Sequence, residues 1–246
     1  MNHEEIRSTP LEPVPTEAGR SMWKNFVDVI FEPSSTFEDV GRRPKWVGPL
    51  LVILAATVVT SFLLMPLWTE VQRMGIMQRD MPEDQREQAL RMMETFKWVG
   101  LAVAPIFAAI ITAIFALLFW AWGAISGAKN ATFKIAFTAL IYTGVIYILQ
   151  SIAQAIVVYV KGAEQVALEG GQPTFGLALF IERGDMSKWL WGLIASVNFF
   201  AIWSAILMAI AGVHALKMSK GSAYAFAIFM WVVGALLFAL QVPSAS

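Results

Sequence analysis

The sequence predicts an all-α membrane protein, a polytopic membrane helix bundle of five transmembrane helices with a short N-terminal amphipathic cytoplasmic helix. Two observations predict it. The chain is 57% hydrophobic and only 15% charged, where a soluble domain carries roughly 25% charged residues. The charges are also segregated, because long apolar runs free of Asp, Glu, Lys and Arg alternate with polar connections. A run of about 20 apolar residues, rising about 1.5 Å per residue as a helix, crosses roughly 30 Å of hydrocarbon.

Residues 1–20 hold Pro10, Pro13 and Pro15 with Glu4, Glu5, Glu12 and Glu17 and no apolar core. They are expected to be a disordered N-terminal tail rather than a secretory leader. Residues 21–45 are expected to form interfacial amphipathic helices and a basic anchor. Trp23, Phe26, Val27 and Ile30 recur at helical spacing on one face, with Lys24, Asn25 and Asp28 on the other. Ten residues cannot span, so this helix should lie in the interface or against the bundle. Pro33 ends it, and Ser35-Thr36-Phe37-Glu38 has the capping-box pattern of a second short helix stopping at Gly41. Arg42, Arg43 and Lys45 then precede Trp46, and a basic cluster beside a tryptophan at the edge of a span anchors and orients it.

Residues 46–243 are expected to hold the five spans, at about 47–68, 98–125, 133–160, 189–213 and 223–242. Pro66 falls in the last turn of span one, and Pro105 should kink span two. Between them Asp80-Met81-Pro82-Glu83 reads as a helix start, opening a charged helix that leaves the membrane and runs straight into span two. Gly123 and Gly127 form a G-x-x-x-G spacing that permits close helix contact. Residues 161–188 read as a second exterior loop carrying Glu164, Glu169, Glu182 and Asp185. The short connections at 127–132 and 214–222 carry only basic charges, as does 42–45. Basic density of this kind puts the N-terminus in the cytoplasm and the C-terminus outside, in a multi-pass protein of the cell's inner (plasma) membrane.

Little chemistry is available. No cysteine is present, which removes disulfides, thiolate metal sites and cysteine nucleophiles. A net charge of zero gives no nucleic-acid footprint. His3 and His214 are the only histidines, without a second metal ligand or a Ser/His/Asp arrangement, and no phosphate-cradling loop occurs near Gly170. His214 is expected to meet a helix-terminal carbonyl or the interface. No enzyme and no cofactor is expected. The spans hold no ionisable side chain clear of their ends, and such a group costs about 2.5–3.5 kcal/mol at mid-bilayer. That argues against ion-coupled transport, voltage sensing and a carboxylate protease. Neutral polar residues do occur. Gln150 and Gln154 share a helix face behind Tyr147, and Asn198 lies on span four. They are expected either to hydrogen-bond between helices, worth about 0.6–2 kcal/mol each, or to line a polar groove for a lipid headgroup or small solute.

Two stretches carry a resemblance. FVDVIFEPSSTFEDVGRRPKWVGPLLV resembles the approach to span one in the Yip-one domain family (Yip/Yif-type five-span membrane proteins), in its bacterial or archaeal branch. FFAIWSAILMAIAGVHALKMSKGSAYAFAIFMWVV resembles that family's last two spans, joined by a short basic turn. ATFKIAFTALIYTGVIYIL is similar to its third span, except that the proline often found after the tyrosine–glycine region is missing at Gly144-Val145-Ile146-Tyr147. The resemblance covers roughly residues 23–240. It implies an integral membrane protein with a cytoplasmic N-terminus that organises membrane or partner proteins, in a trafficking-like or membrane-homeostasis role, without catalysis. The bilayer is then its first partner, with a membrane-protein partner or a homo-oligomer beside it. Eukaryotic relatives bind small GTPases, but no matching motif is seen in this short tail. The alternative is a lipid or small-solute carrier using Gln150, Gln154 and Asn198.

Overall fold

The computed structural model describes residues 20–168, 176–181 and 186–241, and they are helical almost throughout. The expected tail over 1–19 lies outside the described residues, as do Gly170, Glu169, Glu182 and Asp185 of the second exterior loop. Arg20, placed in the tail by the sequence, instead belongs with the first helix, where it pairs with Asp28 at 2.7 Å and Glu32 at 3.1 Å.

Helix α1 (Met22–Phe31) is capped by Ser21, whose hydroxyl accepts from the Lys24 N–H. Helix α2 (Pro33–Arg42) follows after the single residue Glu32. The expected capping box is not how α2 begins. Proline fixes a helical φ and needs no N–H partner at a first position, so α2 starts at Pro33 and Ser35 lies inside it, donating to the Glu32 carbonyl at 2.9 Å. It also runs one residue past Gly41.

Helices α3 (Val47–Met77) and α4 (Glu83–Ile125) are the long pair. Span one was expected to stop near Trp68, yet α3 continues through Pro66 to Met77. At about 1.5 Å per residue these helices reach about 46 and 64 Å, well beyond a roughly 30 Å hydrocarbon layer. Both therefore project past it. Helix α4 joins its charged start to its apolar half without interruption. Of the Gly123/Gly127 pair only Gly123 makes a close contact, since a Cβ there would lie 3.1 Å from Leu216 Cδ2. Gly127 has φ +76° just beyond the end of α4, and Ala128 N–H returns to the Gly123 carbonyl at 2.9 Å, so the two glycines close the helix.

Helices α5 (Phe133–Thr143) and α6 (Val145–Lys161) form one span broken at Gly144, whose N–H is shared between the Leu140 and Ile141 carbonyls. Span three thus breaks without a proline. Short α7 (Ala163–Leu168) packs on α3 through Val166 and Val71. After a 3-10 turn at Gly176–Leu179 come α8 (Lys188–Ala195), α9 (Phe199–His214) and α10 (Lys220–Gln241). Helices α8 and α9 meet at 72°. Among the described residues four segments are long and apolar enough to cross a membrane, Val47–Met77, Glu83–Ile125, Phe133–Lys161 and Lys220–Leu240, with a fifth if α8 and α9 count as one span. The protein is an all-helical membrane bundle.

Its main core unites the short helices with the spans. Val29, Phe37 and Val40 are buried with Phe119, Leu140, Leu207 and Phe226, and Phe119 stacks on Phe226 at 4.9 Å. Helix α2 approaches so closely that a Cβ on Gly41 would lie 2.8 Å from the Ala215 carbonyl oxygen. Only glycine fits there.

Candidate functional site

The bend between α8 and α9 strips carbonyls of their helical donors, and in an apolar layer each unsatisfied group costs several kcal/mol. All three at the break are met. Asn198 Nδ2 donates to the Ala195 carbonyl at 3.1 Å, Trp231 Nε1 donates to Ser196 at 3.0 Å, and the Leu177 N–H donates to Val197 at 3.1 Å. Asn198 Oδ1 also accepts from the Ala201 N–H at 3.0 Å, which caps α9. Three elements therefore fix this bend.

Beside it lies a cavity of about 320 Å³ between α6, α9 and α10. It is near the lower end of pockets that hold small molecules, roughly 300–1,000 Å³. Tyr147, Gln150 and Gln154 line one side and Ser196 and Asn198 the other, with Trp231 and Phe238 from α10. The four polar residues singled out in the sequence thus share one cavity, in different ways. Gln150 and Gln154 are half-buried and have no hydrogen-bond partner among the described residues. Asn198 is buried and spends its amide on the bend. Among the described residues no ionisable acid or base lines the wall except the Tyr147 phenol, so these residues can hydrogen-bond a neutral polar group but offer no acid–base pair.

At the α1 side the expected apolar face divides. Phe26 turns inward, with its ring 4.9 Å from that of Tyr142, and Ile30 packs on the core. Trp23, Val27 and Phe31 point outward, and Trp23 is 63% exposed. The cause is Asn25, a residue assigned by spacing to the polar face. It is buried because its Nδ2 donates to Asp39 Oδ2 at 3.0 Å beside the Tyr142 phenol. Inward-facing Asn25 turns Trp23 and Val27 out. Trp46 sets its ring edge-on to Phe137 at 5.8 Å, and Arg42, Arg43 and Lys45 lie exposed just before α3.

His214 meets the Glu38 side chain of α2 rather than a helix-terminal carbonyl. Its Nδ1 is 3.1 Å from Glu38 Oε1, and this hydrogen bond is the chief reason the Glu38 carboxyl is held below its ordinary value. Glu32 is lowered too, first by the Arg20 hydrogen bond and then by Ser35. Sequence reasoning missed Asn130, whose Nδ2 donates to both the Gly41 and Ala215 carbonyls at 3.0 Å, tying α2 to the end of α9. It also missed Asp39 and Trp231 as polar partners. Their signal is weak, since each partner lies far away in the chain. Among the described residues no group of three or more His, Cys, Asp or Glu could hold a metal ion.

Comparison with known proteins gives one match. A family model described as the Yip1 domain matches residues 27–241, which takes in every helix from α2 to α10 and part of α1. No curated protein and no solved structure matches the chain.

Proposed function

The chain belongs to the Yip1 domain family, and from that premise we propose that it is a non-enzymatic protein that organises the bilayer in which it sits. One observation carries this reading. Trp23, Val27 and Phe31 form an exposed apolar edge on a helix whose other side is locked into the bundle core. An amphipathic helix lying in the interface buries its apolar edge among headgroups and upper acyl chains, displacing lipid in one leaflet only. Because α1 and α2 are fixed to the spans, that displacement is held at a set depth beside Trp46. We place this surface in the cytoplasmic leaflet of the inner membrane, as the basic connections argue.

The test is reconstitution of the full chain with Trp23→Ser, Val27→Ser and Phe31→Ser together. Vesicles carrying the native chain should become smaller or more curved at high protein density, and the triple variant should lose the effect while melting normally. Equal vesicle shapes for both proteins would remove the proposal.

The cavity beside the α8–α9 bend favours a second reading, a carrier for a lipid or small neutral solute. Two half-buried amides without hydrogen-bond partners among the described residues suit an ester carbonyl or hydroxyl. Flux in proteoliposomes that survives Gln150→Leu with Gln154→Leu would dispose of it.

A further inference from the structure

We propose that the pocket between α1, α2 and the first turn of α3 binds the headgroup of an aminophospholipid, with its ammonium inward and its phosphate at the rim. The inference rests on the reading that α1 lies at the bilayer surface, but it concerns a different site from the apolar edge and from the cavity at the bend.

The pocket measures about 390 Å³. Its floor is rich in acceptors. Asn25 is 4% exposed and Tyr142 2%, and Asp39 is half-buried beside them. Because Asn25 Nδ2 donates to Asp39, the amide orientation is set by that bond. Asn25 Oδ1 is then a buried acceptor with no hydrogen-bond partner among the described residues, although the Tyr142 phenol lies beside this amide. Such an atom costs free energy unless a donor reaches it. A primary ammonium supplies three N–H donors, enough for Asn25 Oδ1 and the Asp39 carboxylate together.

The rim has the opposite character. Arg43 and Lys45 are exposed at the mouth, and Arg20 closes one wall while pairing with Asp28 and Glu32. A simple anion would meet the Asp39 carboxylate, and a simple cation would meet Arg43 and Lys45. A headgroup bearing both charges two carbons apart matches the two layers in order. The level is right as well, since Gly48 and Pro49 of α3 form part of the wall and Trp46, a residue of headgroup depth, is adjacent. Choline headgroups carry no N–H and leave Asn25 Oδ1 unserved, so the site should reject them.

Native mass spectrometry of the delipidated full-length chain tests this, with phosphatidylethanolamine, phosphatidylcholine and phosphatidylglycerol added in turn. Phosphatidylethanolamine should be retained about tenfold better than either competitor, the worth of one charge-assisted hydrogen bond. Asp39→Asn should erase the preference over phosphatidylglycerol. Lys45→Gln, on an exposed residue that leaves the core alone, should weaken all three phospholipids alike. Equal retention of phosphatidylcholine would overturn the ammonium half, tighter phosphatidylglycerol would leave only a site for anions, and indifference to both substitutions would overturn the whole proposal. Loss of vesicle shaping in the Trp23/Val27/Phe31 variant with headgroup selectivity intact would separate this site from the membrane-organising surface.

Discussion

The two ends of the bundle are held by different kinds of contact. At the end bearing α1 and α2, local polar contacts are joined by others between residues far apart in the chain. Asn130 reaches Gly41 and Ala215 through its side chain, and its N–H donates to the Leu216 carbonyl at 3.0 Å, while His214 meets Glu38. At the projecting end of α3 and α4 the ion pairs are local. Glu70–Arg73, Glu87–Arg91 and Glu94–Lys97 each join residues three or four apart on one helix. There a cleft of about 920 Å³ opens between the two helices, bordered by Trp68, Gln72, Arg79 and Phe96. Long-range bonds fix one element against another, whereas local pairs only stiffen the helix that carries them. The stapled end is therefore the one able to hold an interfacial helix at a set depth.

The largest effect should come from breaking the staple. Asn130→Ala removes two hydrogen bonds and leaves the Gly41 and Ala215 carbonyls without their donor, which should cost about 2–4 kcal/mol. Gly41→Val should be comparable, because its side chain meets backbone at Ala215 that cannot yield cheaply. Thermal unfolding in detergent checks both, and proteolysis should cut around residues 20–45 first. A normal melt for Asn130→Ala would mean that core residues such as Phe37 and Val40 hold α2 by themselves. Next comes Trp231→Phe, which keeps an aromatic side chain, though a smaller one, and removes the donor to the Ser196 carbonyl. About 1–2 kcal/mol should be lost, with hydrogen exchange rising at the α8–α9 bend and not at the staple.

Much of this architecture was legible in the sequence, and the reasons differ by region. The spans were legible because hydrocarbon demands apolar length, which composition displays directly. Their true reach was not. Thr69–Met77 continues α3 although polar residues enter it, and Val71 there is buried against Val158 of α6 and Val166 of α7, partners no local pattern shows. Gln150, Gln154, Tyr147 and Asn198 were legible as polar residues out of place in an apolar run, and they do line one cavity. The role of Asn198 in bending the chain was not, because the bend depends on Trp231 and on the turn at Leu177. Likewise spacing put Asn25 on the solvent side, and only Asp39, fourteen residues on, explains why it is buried. Periodicity reports average polarity, and one well-placed partner overrides it.

The pair His214–Glu38 sharpens the comparison through pH. Glu38 titrates below its ordinary value of 4.5 in the folded protein, chiefly because of His214. A depressed carboxylate contributes stability that is present above its unfolded value and is lost as pH falls through the folded one. The native melting temperature should therefore drop below about pH 4.5, and His214→Ala should flatten that drop. Both side chains are partly exposed, at 42% for Glu38 and 30% for His214, so solvent screening keeps the effect under about 1 kcal/mol. An acid limb of equal steepness in the variant would assign the dependence to other carboxylates.

The smallest change belongs to the projecting end, and its smallness is the point. Arg91 is 81% exposed and its bond to Glu87, at 3.0 Å, stays within α4. Exposed pairs four residues apart contribute about 0.3–0.5 kcal/mol, and salt screens much of that. Arg91→Ala should leave the melting temperature nearly unchanged at moderate salt. It should also leave vesicle shaping and headgroup selectivity untouched, because the Arg91 ion pair stays within α4. A loss comparable to that of Asn130→Ala would mean that Arg91 ties α4 to something beyond its own helix, and the contrast between a stapled end and a free-standing one would fail.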